Sequence, residues 1–244
     1  MKYLEEKTLS WANAALSEFC VGDRVINGRL ECFSCKKAGQ DKKLAKSLEL
    51  LYQSNNNGNT SVVEQQATPA TVHNNVSIGT LADSNTRKLL INLISTMNAS
   101  FPDYDFSDLK PEQFHKEVDM RTIVNAINTQ LAEIVEMDNI GFLEKLWESI
   151  VAAIAPGDCE VYSYIPDMDG CSDPFSDGTL WSFNYFFYNK ELKKILYFTC
   201  MSRSAVHDLN GHDEEDDDDD MVCRSEDDDE DDDVLMEGDW EDGA

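Results

Sequence analysis

Residues 180–195 read LWSFNYFFYNKELKKI, and this stretch decides the fold. Trp181, Phe183, Tyr185 and Phe187 alternate with Leu180, Ser182, Asn184, Phe186 and Tyr188. Successive side chains of a strand point to opposite faces, and aromatic residues suit a pleated surface. Both sets are largely apolar, so the pattern predicts a central strand covered on both sides, with Trp181 and Phe183 in the core. Asn189, Lys190 and Glu191 predict a hairpin turn, and residues 193–201 a second strand.

Working outward, residues 24–35 also alternate. Ile26, Leu30 and Cys32 fall on one side and Arg29 and Glu31 on the other, the pattern of a half-buried strand. Leu9, Ala12, Leu16 and Phe19 lie at helical spacing, with Thr8 as candidate N-cap, and residues 42–52 read as a short helix. From Ser84, a second candidate N-cap, Leu90, Leu93, Ile94, Met97 and Phe101 mark a helix that Pro102 stops. Ile123, Ile127, Leu131 and Val135 mark another, and Phe142, Leu146, Ile150 and Ile154 a third, ended by Pro156-Gly157. Residues 159–164 read as a strand and 165–178 as a Pro/Gly/Asp loop. A lone strand cannot hide its apolar face, so 24–35 must join the strands near 159–202. The order of elements is not strictly alternating βαβ. The expected fold is therefore of the mixed α/β (α+β) class, a mostly antiparallel central sheet packed by helices.

Composition divides the chain further. Residues 53–83 lose periodicity, hold no aromatic residue and are rich in Asn, Gln, Ser and Thr, which predicts a mobile linker. Of the net charge of −28, residues 208–244 supply −20, from 21 acidic residues against Arg224 alone. Runs of acids at 213–220 and 226–233 repel themselves and predict a disordered, extended tail. The expected organisation is one globular domain formed by 1–52 and 84–207, a linker at 53–83 and an acidic tail at 208–244. There is no apolar run long enough for a membrane helix and no signal-peptide pattern, which leads us to expect an intracellular protein without membrane attachment. A polyanion of this kind should not bind duplex DNA directly. It suits basic protein surfaces instead, and its attraction to them should be screened by salt.

Chemistry-bearing motifs are scarce. The seven cysteines are odd in number and scattered, consistent with reduced thiols. Cys32 and Cys35 have CxxC spacing, but no second CxxC or HxxxH exists to complete a zinc site. Asp167, Asp169 and Asp173 loosely follow a calcium loop, yet Gly178 stands where the twelfth-position Glu is needed. No phosphate-cradling loop, GxSxG elbow or HExxH is present. We expect neither an enzyme nor a cofactor.

Three blocks in order carry a resemblance. MKYLEE with GRLECFSCKKAGQDKKL (28–44), PDYDFS (102–107), and YSYIPDMDG (162–170) leading through SDPF (172–175) into 180–195 resemble the MAF-one family of general RNA polymerase III repressors. The likeness spans roughly 1–51 and 85–202. Glu191 sits where a basic residue is usual, and Gly170-Cys171 is similar to a small insertion. The resemblance implies an antiparallel sheet with helices around it. It also implies repression through direct contact with the polymerase clamp and winged-helix region, which prevents recruitment to promoter-bound TFIIIB. It further implies shuttling between nucleus and cytoplasm, and control by TOR- and cyclic-AMP-pathway kinases and a phosphatase. A different class remains open, an acidic chaperone for histones or ribosomal proteins.

Candidate partner-binding residues are Lys190, Lys193 and Lys194 after the aromatic block, and Asp216, Asp217, Asp218, Asp229 and Asp231 in the acidic runs. Candidate phosphorylation sites are Ser47, preceded by Lys43 and Lys46, and Thr68, followed by Pro69.

Overall fold

The computed structural model describes residues 1–36, 39–57, 76–136, 139–166, 174–175 and 178–204. All of these lie in one compact unit, Met1–Gly211. In chain order the elements are β1 (Lys2–Leu4), α1 (Ser10–Leu16), β2 (Phe19–Val21), β3 (Arg24–Ser34), α2 (Gly39–Asn57), β4 (Val76–Ser77) and α3 (Ser84–Ser100). There follow β5 (Phe114–Glu117), α4 (Met120–Leu131), α5 (Phe142–Ile154), β6 (Glu160–Tyr164), β7 (Thr179–Asn189) and β8 (Lys194–Ser204). The sheet runs β1-β3-β8-β7-β6-β5-β4, with β2 also on β3, and every pairing is antiparallel. The aromatic strand β7 sits in the middle of that path, and β3 reaches the late strands through β8, as the alternation predicts.

Alternation sorts the core into two layers. On one face Ile26, Leu30, Cys32, Phe187, Leu196 and Phe198 pack against α1, α4 and α5. On the other, Phe33, Phe114, Phe186, Ile195 and Tyr197 pack against α2 and α3. Gly28 permits α1 to press onto β3, since a Cβ there would stand 3.0 Å from the Leu16 Cβ and 3.1 Å from the Cys200 sulfur.

Several boundaries differ from the sequence reading. α1 ends at Leu16; Glu18 turns the backbone at φ +50°, and Phe19 belongs to β2 rather than to the helix. The first helical turn starts at Lys7 with no side-chain cap, so Thr8 caps nothing. α3 is capped by Asp83, whose carboxylate accepts from the Asn85 and Thr86 N–H groups; Ser84 is the first helical residue. α2 runs to Asn57, and Val76–Ser77 pairs with β5, so ordered elements enter the 53–83 stretch from both sides. Residues 58–75 of that stretch and the whole of 208–244 lie outside the described residues.

The exposure of β7 also needs correcting. β6 pairs with β7 only from Tyr185 to Tyr188, so Thr179–Asn184 of β7 is bonded on its β8 side alone among the described strands. Trp181 and Phe183 are consequently half-buried, while Phe186 and Phe187 are fully buried.

Candidate partner-binding surface

The β7–β8 hairpin presents the basic residues singled out by sequence, and it treats each one differently. Asn189 pairs with Lys194 at its base, and the Leu192 N–H donates to the Asn189 Oδ1 at 2.9 Å inside the loop. Lys193 takes φ +50°, and its carbonyl accepts from the Cys35 N–H at 2.8 Å, which ties the tip to the end of β3. The turn therefore spans 190–193, starting one residue and ending two residues later than the sequence suggests. Lys194 turns inward. Its ammonium bonds the Glu6 carboxylate and the Ala153 carbonyl, the latter at 2.8 Å, and its side chain is only 14% exposed. Lys193 is exposed and Lys190 is largely so.

This separates docking from stability. Lys194→Met should cost about 2 kcal/mol, because it leaves a half-buried carboxylate and a carbonyl unpaired. Lys193→Met, on the exposed tip, should change stability by less than about 0.5 kcal/mol. Urea unfolding of the two variants distinguishes them; equal midpoints would put Lys194 back on the free surface.

Beside the tip, Lys190 Nζ reaches Glu160 Oε2 at 2.6 Å, and Lys116 Nζ reaches Glu160 Oε1 at 2.9 Å. The Tyr162 hydroxyl donates to Glu160 Oε2 at 2.6 Å. Burial would raise the Glu160 carboxyl, but the bonds from Lys190, Tyr162 and Lys116 more than offset it and hold it at about 2. The folded pKa is thus below the ordinary carboxylate value. The stabilisation is present at neutral pH and is lost as pH falls from about 4.5 toward 2. We expect Glu160→Gln to unfold at lower urea than the parent chain at pH 7, with the gap closing as pH falls through that window. A gap independent of pH would mean that the clasp contributes through packing alone. The clasp borders a groove of about 560 Å³, lined also by Lys88, Leu89, Asn92 and Tyr188.

At the opposite end of β7, Trp181, Phe183 and Tyr185 form a half-buried ladder. The Trp181 and Phe183 rings stack at 6.1 Å and 7°, and Phe183 stands edge-on to Phe198 at 5.1 Å. Leu180, at a register irregularity, is 54% exposed beside them. Half-exposed aromatic residues of this kind are the usual anchors of protein interfaces.

The cysteine pair is inert by placement. Cys32 belongs to the α1–α4–α5 face and Cys35 packs on the α2–α3 face, as i and i+3 on an extended chain must. Burial pushes the thiols up to about 12 and about 11, so both are protonated at neutral pH. Among the described residues no His/Cys/Asp/Glu cluster could hold a metal ion. PDYDFS is partly core: Phe106 is buried, Tyr104 is 37% exposed, and Phe101, just before it, contacts both rings. Ser47 is exposed on α2, its hydroxyl donating to the Lys43 carbonyl at 3.2 Å. Thr68, Asp216, Asp217, Asp218, Asp229 and Asp231 lie outside the described residues.

Sequence reasoning missed the Glu160 clasp. Its members come from β5, β6 and the hairpin turn, and β5, with four residues, is too short to announce itself by alternation. The clasp has no signature within any one segment.

Comparison with known proteins agrees with this architecture. The Maf1 regulator family matches over residues 26–199. A protein of Dictyostelium discoideum named "Repressor of RNA polymerase III transcription" is 37% identical, covering 86% of this chain and 87% of that one. A Schizosaccharomyces pombe protein named "Repressor of RNA polymerase III transcription maf1" is also 37% identical, covering 81% of each chain. Two crystal structures of citrus MAF1 superpose with a TM-score of 0.59, at 31% and 33% identity, covering 81% of this chain and 99% of theirs.

Proposed function

The chain belongs to the Maf1 regulator family, and from that premise we propose that it represses RNA polymerase III transcription by binding the polymerase and blocking its recruitment to TFIIIB. The family match over residues 26–199 carries this reading. The geometry supports a blocking role rather than a chemical one. The family-like blocks build the sheet and its two cores, and they leave exposed side chains at both ends of β7. On this reading the exposed lysines of the tip, Lys190 and Lys193, and the aromatic ladder at Trp181 are the folded contact points. The acidic residues at 213–220 and 226–233 attract basic polymerase surfaces such as those of the clamp and winged-helix subunits. Ser47 is an accessible kinase target. The open groove it lines also holds Asp105 and Asp108, so a phosphate there would meet like charge.

The experiment is association of the full chain with purified RNA polymerase III, followed by a TFIIIB-dependent recruitment assay. Binding that reduces recruitment is expected. Truncation after His207 should slow association at low salt and matter less as salt rises, because exposed charges act over about 8 Å at physiological ionic strength. Failure to bind the polymerase, together with tight binding to histones or ribosomal proteins, would replace this reading by that of an acidic chaperone.

A further inference from the structure

One pocket runs against the charge of the whole chain. The β3–β8 register sets Arg29 opposite Thr199, Asn27 opposite Met201 and Val25 opposite Arg203. Residues two apart on a strand share a face, so Arg29, Thr199 and Arg203 all lie on the α2–α3 side, beyond the buried ring of Tyr197. With Phe101 and Tyr104 across from them they line a pocket of about 370 Å³. Among the described residues its lining holds two arginines and no carboxylate, in a chain of net charge −28.

Neither arginine makes an ion pair among the described residues. Glu31 is the next charged residue along that face of β3, yet the ion pairs that arginines make among the described residues involve Arg24, Arg87 and Arg121. Each guanidinium is instead oriented by a backbone carbonyl. Arg29 Nη1 donates to Ser100 O at 3.0 Å while the group lies 4.3 Å over the Phe101 ring. Arg203 Nη2 donates to Pro174 O at 2.7 Å. Arg203 Nε is buried with no hydrogen-bond partner. So are Ser100 Oγ, in the residue that holds Arg29, and Asn184 Nδ2, whose Oδ1 receives the Thr199 hydroxyl at 2.8 Å. Buried donors are normally satisfied. Arg203 lines the pocket itself, and Ser100 and Asn184 bond the lining residues Arg29 and Thr199.

We propose that the Arg29–Arg203 pocket binds a small phosphate ester, with the phosphate on the two guanidinium groups and the carbon portion against Phe101 and Tyr104. A guanidinium fork matches the charge and the oxygen spacing of a phosphate, and the pocket offers two. The volume lies in the range of small-molecule sites, larger than a bare anion requires.

The test is titration of the full chain with phenyl phosphate, inorganic phosphate and acetate at constant ionic strength. It is read by calorimetry and by the NMR signal of the Arg203 Nε–H. A saturable shift with both phosphates is expected, with phenyl phosphate about tenfold tighter because its ring is buried, and with acetate weaker than either. Arg203→Lys keeps the charge and removes the fork, so it should weaken phosphate binding by about tenfold or more. Arg29→Lys supplies a second, independent comparison, and Arg121→Gln, at an 89% exposed side chain, should leave binding unchanged. Equal affinity for phenyl and inorganic phosphate would overturn the ester in favour of free phosphate. The absence of a saturable response, or wild-type binding by both lysine variants, would overturn the site.

Discussion

Truncation of Phe187 to Ala should cost about 3–5 kcal/mol of folding free energy, a large share of the stability of an ordinary domain. Phe187 is 0% exposed, paired across the sheet with Leu196 on one side and Val161 on the other, and lies under the α1–α4–α5 layer. The same change at Phe183, four residues earlier on the same face, should cost about half as much, because that ring is already partly in water. Urea unfolding of the two variants measures both. Equal losses would show that the face beneath the first half of β7 is as closed as the second.

Removal of the Asn184 side chain as Asn184→Ala should cost about 2–3 kcal/mol. Asn184 is 1% exposed, and its Oδ1 accepts the Tyr197 hydroxyl at 2.7 Å and the Thr199 hydroxyl at 2.8 Å. Both donors are themselves buried, so the truncation removes the acceptor shared by two buried hydroxyl groups at once. In the Asn184→Ala background, Tyr197→Phe and Thr199→Val should be close to neutral, whereas each alone should destabilise the parent chain. Additive losses in this double-mutant cycle would mean that the three residues are not coupled.

The main frame was legible because alternation is a long-range statement made locally. Eleven residues of β7 and eleven of β3 each sort their side chains onto two faces, and those faces became the two cores. Short strands gave no such signal: Val76–Ser77 and Phe114–Glu117 have too few residues to show a period. Helix starts were misplaced by a residue where two capping types stand together, as at Asp83-Ser84. The lysines after Tyr188 stand together in sequence, but their different fates depend on Glu6, Ala153 and Glu160, which lie far from them in sequence. The Arg29–Arg203 pocket was illegible for the same reason, since only the β3–β8 register brings the two residues to one face.

The pairing of β3 with β8 also fixes an order of events in the cell. Gly28 must find Cys200, and all eleven pairs of that ladder join the early part of the compact unit to its last described strand. At ribosomal rates of about 5–20 residues per second, β3 waits on the order of ten seconds for its neighbour to be synthesised. During that interval Ile26, Leu30 and Phe33 have no β8 to cover them, and the open strand edge is a template for wrong pairing. The β7–β8 hairpin, by contrast, can close as soon as it emerges. Folding of this chain should therefore be slow, governed by non-local contacts and completed late, and a nascent chain stalled before β8 is the species that most needs a chaperone.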